Sequence, residues 1–174
     1  MKAAAFYKVI TMDESGFLEG LLVLFEQEGI RWCVVGGQAV NAYVEPLVSL
    51  DLDLAVATAD LPRLERVLDD RFKVERHPHS LNVSQTGSGL RVQIQTDARY
   101  SGFVERSAIR QVLGTPMPVA DVSDVLQGKV WAGLDPARRP SKRRKDLLDI
   151  ERLLERYPEL RERTPAEILE RLER

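Results

Sequence analysis

The sequence predicts an α/β fold of the α+β kind, a short mixed sheet flanked by helices and followed by a helical C-terminal half. Three observations predict it. Leu50 to Val56 alternates with period two, placing Leu50, Leu52, Leu54 and Val56 on one face and Asp51, Asp53 and Ala55 on the other, the pattern of a half-buried strand. Arg31 to Val35 is a short β-branched and aromatic run that ends on Gly36-Gly37, a buried strand feeding a glycine turn. Downstream of Asp97 the spacing of apolar residues turns helical.

The elements follow in order. Phe17, Leu18, Leu21, Leu22, Leu24 and Phe25 recur at helical spacing and Gly29 supplies a stop. After the strand at 31–35, a short helix is expected from Gln38 to Tyr43, and Pro46 breaks the chain before the Asp51 strand. Asp60, Pro62 and the set Leu61, Leu64, Val67 and Leu68 read as a helix capped by Asp60 and ending near Arg71. Phe72 to Arg76 is a further strand. Leu81 to Gln85 and Leu90 to Thr96 flank Thr86-Gly87-Ser88-Gly89, a hairpin signal. In its second strand Arg91, Gln93, Gln95 and Asp97 share a polar face. Four helices are then expected: Gly102 to Leu113, Ser123 to Gly133, Lys142 to Arg156 and Pro165 to Arg171, the last opened by a capping box at Thr164 and Glu167.

At 174 residues the chain has the length of one domain, divided here into an α/β core over 1–120 and a helical region over 121–174 packed upon it. Hydrophobic residues make up 44% and charged residues 30%, a globular composition. Twenty-five Lys and Arg against 27 Asp and Glu leave a formal charge of −2, so any attraction to nucleic acid must be local. The stretch Phe17 to Phe25 is interrupted by Glu19 and Gly20 and falls far short of the ~20 residues that span a bilayer. The first residues lack the pattern of a secretory signal, because Lys8 breaks the apolar run and Asp13 and Glu14 follow. Cys33 is alone, which excludes an intrachain disulfide and a cysteine metal cage, and a cytoplasmic location is expected.

The sharpest constellation is Gly36-Gly37 followed by Asp51-Leu52-Asp53. Two carboxylates at i and i+2 of a strand lie roughly 6 to 7 Å apart on one face. Such a pair suits a hard cation such as Mg²⁺, which takes one or two carboxylates together with substrate phosphates. A Gly-Gly turn at a helix start exposes backbone N–H groups to phosphate oxygens. The combination points to metal-assisted phosphoryl or nucleotidyl transfer, although each half is also common as a plain turn and a solvated strand edge.

Val34-Val35-Gly36-Gly37, Asn41-Ala42-Tyr43 and Ser49-Leu50-Asp51-Leu52-Asp53-Leu54 resemble the opening of nucleotidyltransferases of the polymerase-beta-like superfamily. The chain is most similar to the branch that contains AbiEii-type toxins of toxin–antitoxin systems. Gly128-Lys129-Val130-Trp131-Ala132 resembles that branch's Lys-h-x-Ala motif, and Arg143-Arg144-Lys145-Asp146-Leu147-Leu148-Asp149 its Arg-x-Lys-Asp-x-x-Asp motif. The resemblance implies a nucleotidyltransferase-like fold and transfer of NMP from a nucleoside triphosphate to a hydroxyl of RNA, protein or a small molecule. It implies that Asp51 and Asp53 hold Mg²⁺ (or Mn²⁺), that Gly36, Gly37, Ser49 and Lys145 bind the nucleotide, and that Lys129 and Asp146 shape the catalytic site. An antitoxin partner is implied as well.

The chain departs from the family pattern at two places. Leu47 stands where an Arg is usual and Ser49 where a Thr is usual. The third carboxylate expected on a neighbouring strand falls on Gln93 or Gln95, with Asp97 two residues further along the same face. An amide offers a neutral oxygen but no charge and no base. A degenerate, noncatalytic nucleotide- or partner-binding module is therefore the alternative reading.

The remaining candidates have ordinary readings beside the functional ones. Arg138 to Lys145 holds six basic residues in eight, suited to phosphate contacts or to a solvated loop. His77 and His79 flank Pro78 and are read as loop residues, Cys33 as a small core hydrophobe, and Trp131 as a packing residue.

Overall fold

The computed structural model describes residues 15–174, so the reading of the leader lies outside the described residues. Helix α1 (Phe17–Gln27) leads into β1 (Trp32–Val35), α2 (Gly36–Tyr43), β2 (Asp51–Val56) and α3 (Leu61–Leu68). Strands β3 (Lys73–His77), β4 (Ser80–Ser84) and β5 (Arg91–Gln95) follow, then α4 (Ser101–Glu105) and the pair β6 (Ala108–Val112) and β7 (Thr115–Val119). The chain closes with α5 (Val122–Leu134), α6 (Pro140–Arg156) and α7 (Ala166–Leu172).

The seven strands form one mixed sheet in the order β3-β4-β5-β2-β1-β7-β6. β2 lies at its centre, antiparallel to β1 and parallel to β5. Alternation along β2 sends Leu52 and Leu54 into the core with Val92 and Ile94 of β5 and Leu81 and Val83 of β4. Phe17, Leu21, Leu24 and Phe25 of α1 and Leu64 and Leu68 of α3 are buried in that core, and so are Ile150, Leu153 and Ile168 from the helical region. One apolar core thus spans both sides of residue 120.

Three local expectations are corrected. The helix expected from Gly102 to Leu113 stops at Glu105, and residues 108–119 form a β-hairpin instead. Its two-residue turn, Leu113-Gly114, has φ of 52° and 76°, the doubly positive turn that matches the twist of paired strands. Asp60 does not cap α3 with its side chain; it accepts from the Arg31 backbone N–H at 3.0 Å and from Arg31 Nε at 2.9 Å. Those bonds hold its carboxyl below the ordinary range, and they tie the start of α3 to the entry of β1. Thr164 is likewise no cap, because its hydroxyl donates to the Leu160 carbonyl at 3.0 Å and α7 starts after Pro165.

Candidate active site

The site is built on the central strand. Asp51 and Asp53 project from the polar face of β2, each partly shielded from solvent. In the parallel register with β5, Asp51 faces Arg91 and Asp53 faces Gln93, while Gln95 faces Ala55. The register continues outward from Gln93 to Asn82 of β4 and from Asn82 to Glu75 of β3. Gln93 therefore stands beside Asp53, where the family resemblance implies a third carboxylate. Asp97 lies beyond the end of β5, where it accepts from the Arg99 N–H at 3.0 Å and pairs with Arg99 Nε at 3.4 Å.

Gly36 stands against Asp53. Its φ of 67° is left-handed, and a Cβ there would collide with the Asp53 carboxylate, so glycine is required on both counts. The first turn of α2 thereby reaches the acid. The following loop is tied to α2 by side chains: Gln38 Nε2 donates to the Ser49 carbonyl at 3.0 Å, and Asn41 holds both the Leu47 carbonyl at 2.7 Å and the Leu47 N–H at 2.9 Å. The Ser49 hydroxyl accepts from the Asp51 N–H at 3.3 Å, which sets the entry of β2. Leu47 itself is exposed.

Behind Asp53 lies a buried ionic cluster. Lys129 of α5 reaches Asp146 at 3.0 Å and Asp149 at 2.7 Å, both on α6. Arg138 pairs with Asp146 at 2.5 Å, and Arg152 with Asp149 at 2.7 Å. Burial acts to lower the Lys129 pKa, but Asp149 and Asp146 more than offset it, so the ammonium is held above its ordinary range. Gly37 approaches Asp149, which links the glycine turn to the same cluster. Burial raises the Asp53 carboxyl from 3.8 to about 6, with Asp51 adding to the rise and Lys129 and Arg138 opposing it.

Asp51 has a different environment. Arg91 Nε donates to its Oδ1 at 2.7 Å, and Lys142 Nζ lies 3.6 Å from its Oδ2. Two cavities meet at Asp53, and Asp51 lines the larger. The smaller, of about 190 Å³, is lined by Gly36, Asp53, Gln93, Lys129 and Trp131, with Arg99 and Tyr100 at its wall. The larger, of about 430 Å³, is lined by Asp51, Asp53, Glu75, Asn82, Arg91 and Lys142. Asp53, Gln93 and Arg138 border both. Open space therefore lies on both sides of Asp53.

The family profile for the AbiEii nucleotidyl transferase toxin of type IV toxin–antitoxin systems matches residues 21–174. The chain belongs to the AbiEii family. Its fold is shared by solved nucleotidyltransferases. A lincomycin-bound lincosamide antibiotic adenylyltransferase, LnuA, aligns over 82% of this chain and 97% of its own at 14% identity, with a TM-score of 0.54. The antibiotic-resistance factor ANT(2'')-Ia aligns in solution over 89% of this chain and 86% of its own, at 13% identity and a TM-score of 0.59. In complex with adenylyl-2''-tobramycin it aligns over 80% and 86%, at 12% identity and a TM-score of 0.56. The chain matches no curated protein.

In this AbiEii-family chain the donors around β2 are hard oxygens, and the missing Cβ at Gly36 lets the Asp53 carboxylate pack against the first turn of α2, so the residues fit a divalent cation shared with phosphate. Among the described residues no group of three or more His, Cys, Asp and Glu gathers that could hold a metal ion. The oxygen-bearing side chains adjacent in register on β2 and β5 are the Asp51 and Asp53 carboxylates and the Gln93 amide. His77 is exposed and shares a hydrogen bond with Asn82 at 3.1 Å. Cys33 is fully buried, and burial pushes its thiol up to about 12.

Of the basic run, Arg138 and Lys142 face the acids, whereas Lys145 is exposed and lines neither cavity. Trp131 does pack, stacked on Phe103 at 5.8 Å, and it also walls the smaller cavity with the Arg99 guanidinium 4.5 Å above its ring. Residue types alone did not single out Arg91, Arg99, Asn82 or Glu75. Arg91 carried a signal, since it shares the polar face of its strand with Gln93. No helix among the described residues is long and apolar enough to cross a membrane.

Proposed function

We propose that this chain is a metal-dependent nucleotidyltransferase that moves an NMP unit from a nucleoside triphosphate to a hydroxyl on RNA, protein or a small molecule. One observation carries the reading: Asp53 stands where two cavities meet, with Asp51 beside it in the larger one and Gly36 packed against the Asp53 carboxylate. Asp51 and Asp53 would hold Mg²⁺ or Mn²⁺. Bound there, the ion would neutralise triphosphate charge and favour in-line attack at the α-phosphorus.

The chain's own residues supply the rest. The first turn of α2 at Gly36 and Gly37 offers backbone N–H groups to phosphate oxygens. Lys129, clamped by Asp146 and Asp149, fixes α5 against α6 and contributes positive potential near Asp53. The Gln93 amide can donate or accept a hydrogen bond but cannot take a proton, so the acceptor proton must pass to an aspartate or to solvent. Ser49 sets the β2 entry, and Lys145 is available to an acceptor beyond the cavities. AbiEii membership supports a toxin role with a cognate antitoxin.

The second reading, a nucleotide- or partner-binding protein without catalysis, is favoured by Gln93 beside Asp53. The two separate in one experiment. Each α-labelled NTP is incubated with a cell extract and Mg²⁺ or Mn²⁺, comparing the parent with the Asp51→Asn plus Asp53→Asn variant. Label in RNA, protein or a small molecule with the parent alone establishes transfer and names the acceptor class. Equal label with both proteins, the variant being folded, refutes the transferase reading.

A further inference from the structure

The resting partners of Asp51 bear on how many metal ions the site takes. Where two divalent ions work together they sit roughly 3.5 to 4 Å apart and share carboxylates that offset their mutual repulsion. In this chain the strand that should supply such a carboxylate presents a guanidinium and an amide: Arg91 lies opposite Asp51 and Gln93 opposite Asp53. Arg91 binds Asp51 Oδ1 at 2.7 Å, and Lys142 approaches Oδ2 from α6 at 3.6 Å. Lys129 and Arg138 are already matched to Asp146 and Asp149.

The local charge can be counted from these contacts. Asp51 and Asp53 bring two negative charges at most, and Arg91 and Lys142 bring two positive ones. One divalent ion entering with a triphosphate is balanced by the phosphates. A second ion would meet no carboxylate on β5; the further acid of this cavity, Glu75, stands two strands beyond on β3 and pairs with Lys73 at 3.8 Å, so the ion would lie against a guanidinium and an ammonium, which costs Coulomb energy in a partly shielded cleft.

We propose that Arg91 and Lys142 act as fixed cations in place of a second metal ion, so that the site takes a single divalent ion with its nucleotide. The proposal rests on the nucleotidyltransferase reading. The two side chains hold Asp51 in the free protein and turn to triphosphate or acceptor oxygens once that ion arrives. Arg91 is suited to this exchange, because it sits on the open rim of the larger cavity and its guanidinium can grip an anion through two N–H groups.

The test counts Mn²⁺ by the loss of its free-ion paramagnetic resonance signal. The full chain is titrated with Mn²⁺ in the presence of each of the four α,β-methylene nucleoside triphosphates. One ion per protein–nucleotide complex is expected, without the spectral broadening of two coupled ions. The Arg91→Gln plus Gln93→Asp variant, shown to be folded by circular dichroism, should take up a second ion and display the coupling. Two coupled ions in the parent would overturn the proposal while leaving the transferase reading standing. A folded variant that remains at one ion would also overturn it, since Arg91 and Gln93 would then not set the count. Failure of the parent to bind any nucleotide would take down the transferase reading and this proposal with it.

Discussion

Two ionic clusters flank Asp53, and they differ in nearly every physical respect. In the first, Lys129, Asp146 and Asp149 have side chains 8%, 2% and 3% exposed and are closed in by Arg138 and Arg152. In the second, Arg91, Lys142 and Asp51 are 68%, 40% and 31% exposed, with a single close contact at 2.7 Å. A buried network cannot lose one member without stranding a charge in a poorly solvated place. An open pair competes with water at every moment and contributes little. The first cluster is therefore framework, joining α5 to α6 behind the glycine turn. The second is exchangeable, as the proposed site for a metal ion and a triphosphate would require.

The largest expected effect tests the framework side of this contrast. Lys129→Met leaves Asp146 and Asp149 buried with only their arginine partners, and it should lower the unfolding free energy by about 3 kcal/mol. Urea denaturation followed by circular dichroism measures this directly. A loss below ~1 kcal/mol would place Lys129 with the open pair and collapse the distinction.

A middle-sized effect belongs to Asp53, which sits between the clusters. Its carboxyl rises from 3.8 to about 6 on folding, so the folded protein binds that proton more tightly than the unfolded chain does. This contribution favours the folded state below about pH 4, fades as the pH rises toward 6, and leaves an ionised, desolvated carboxylate as a net cost above that. In metal-free protein Asp53→Asn should thus raise stability by on the order of 2 kcal/mol near neutral pH and change nothing below the unfolded-state value. Thermal melts of both proteins across this range would show it. A variant less stable than the parent at neutral pH would mean that the acid is stabilised by Lys129 rather than strained by burial. Addition of Mg²⁺ and nucleotide should stabilise the parent alone.

These contrasts were unevenly legible in the sequence. Alternation over residues 50–56 was enough to put Asp51 and Asp53 on one face of a strand, because a period of two has one structural meaning in a half-buried sheet. The identity of the residue beside Asp53 was open between Gln93 and Gln95, since register depends on the loop at 86–89 and on how the strands pack. The first strand of the hairpin and the start of its turn fall inside the helix expected over 102–113; Ala108 to Val112 has no clear alternation, and Leu113 is an unusual residue for a left-handed turn position. The buried cluster was not legible from residue types. A single Lys beside Val130 and Trp131 reads as a side chain reaching for water, and only the packing of α5 on α6 brings two aspartates to it. The motif resemblance pointed to Lys129 and Asp146 without their geometry, and Asp149 as the second partner came from the fold.

The smallest expected effect is the most informative about exchange. Replacing both Arg91 and Lys142 by Gln removes the partners of Asp51 in the free protein, yet the unfolding free energy should change by less than ~1 kcal/mol at moderate salt, because exposed pairs give up about as much hydration as they regain in attraction. The same double variant should bind Mn²⁺ alone more tightly than the parent, since Asp51 no longer has to release a guanidinium first. Isothermal titration and urea denaturation on the same sample provide both numbers. A stability loss of several kcal/mol with no gain in metal affinity would show that Arg91 and Lys142 fasten β2 to β5 and α6 as structural ties, and Asp51 would then belong to the framework with Asp146 and Asp149. Near-neutral stability with tighter Mn²⁺ binding would instead separate the two clusters by function as well as by burial: one holds the helices behind the site in place, and the other keeps the metal-side carboxylate occupied until an ion displaces it.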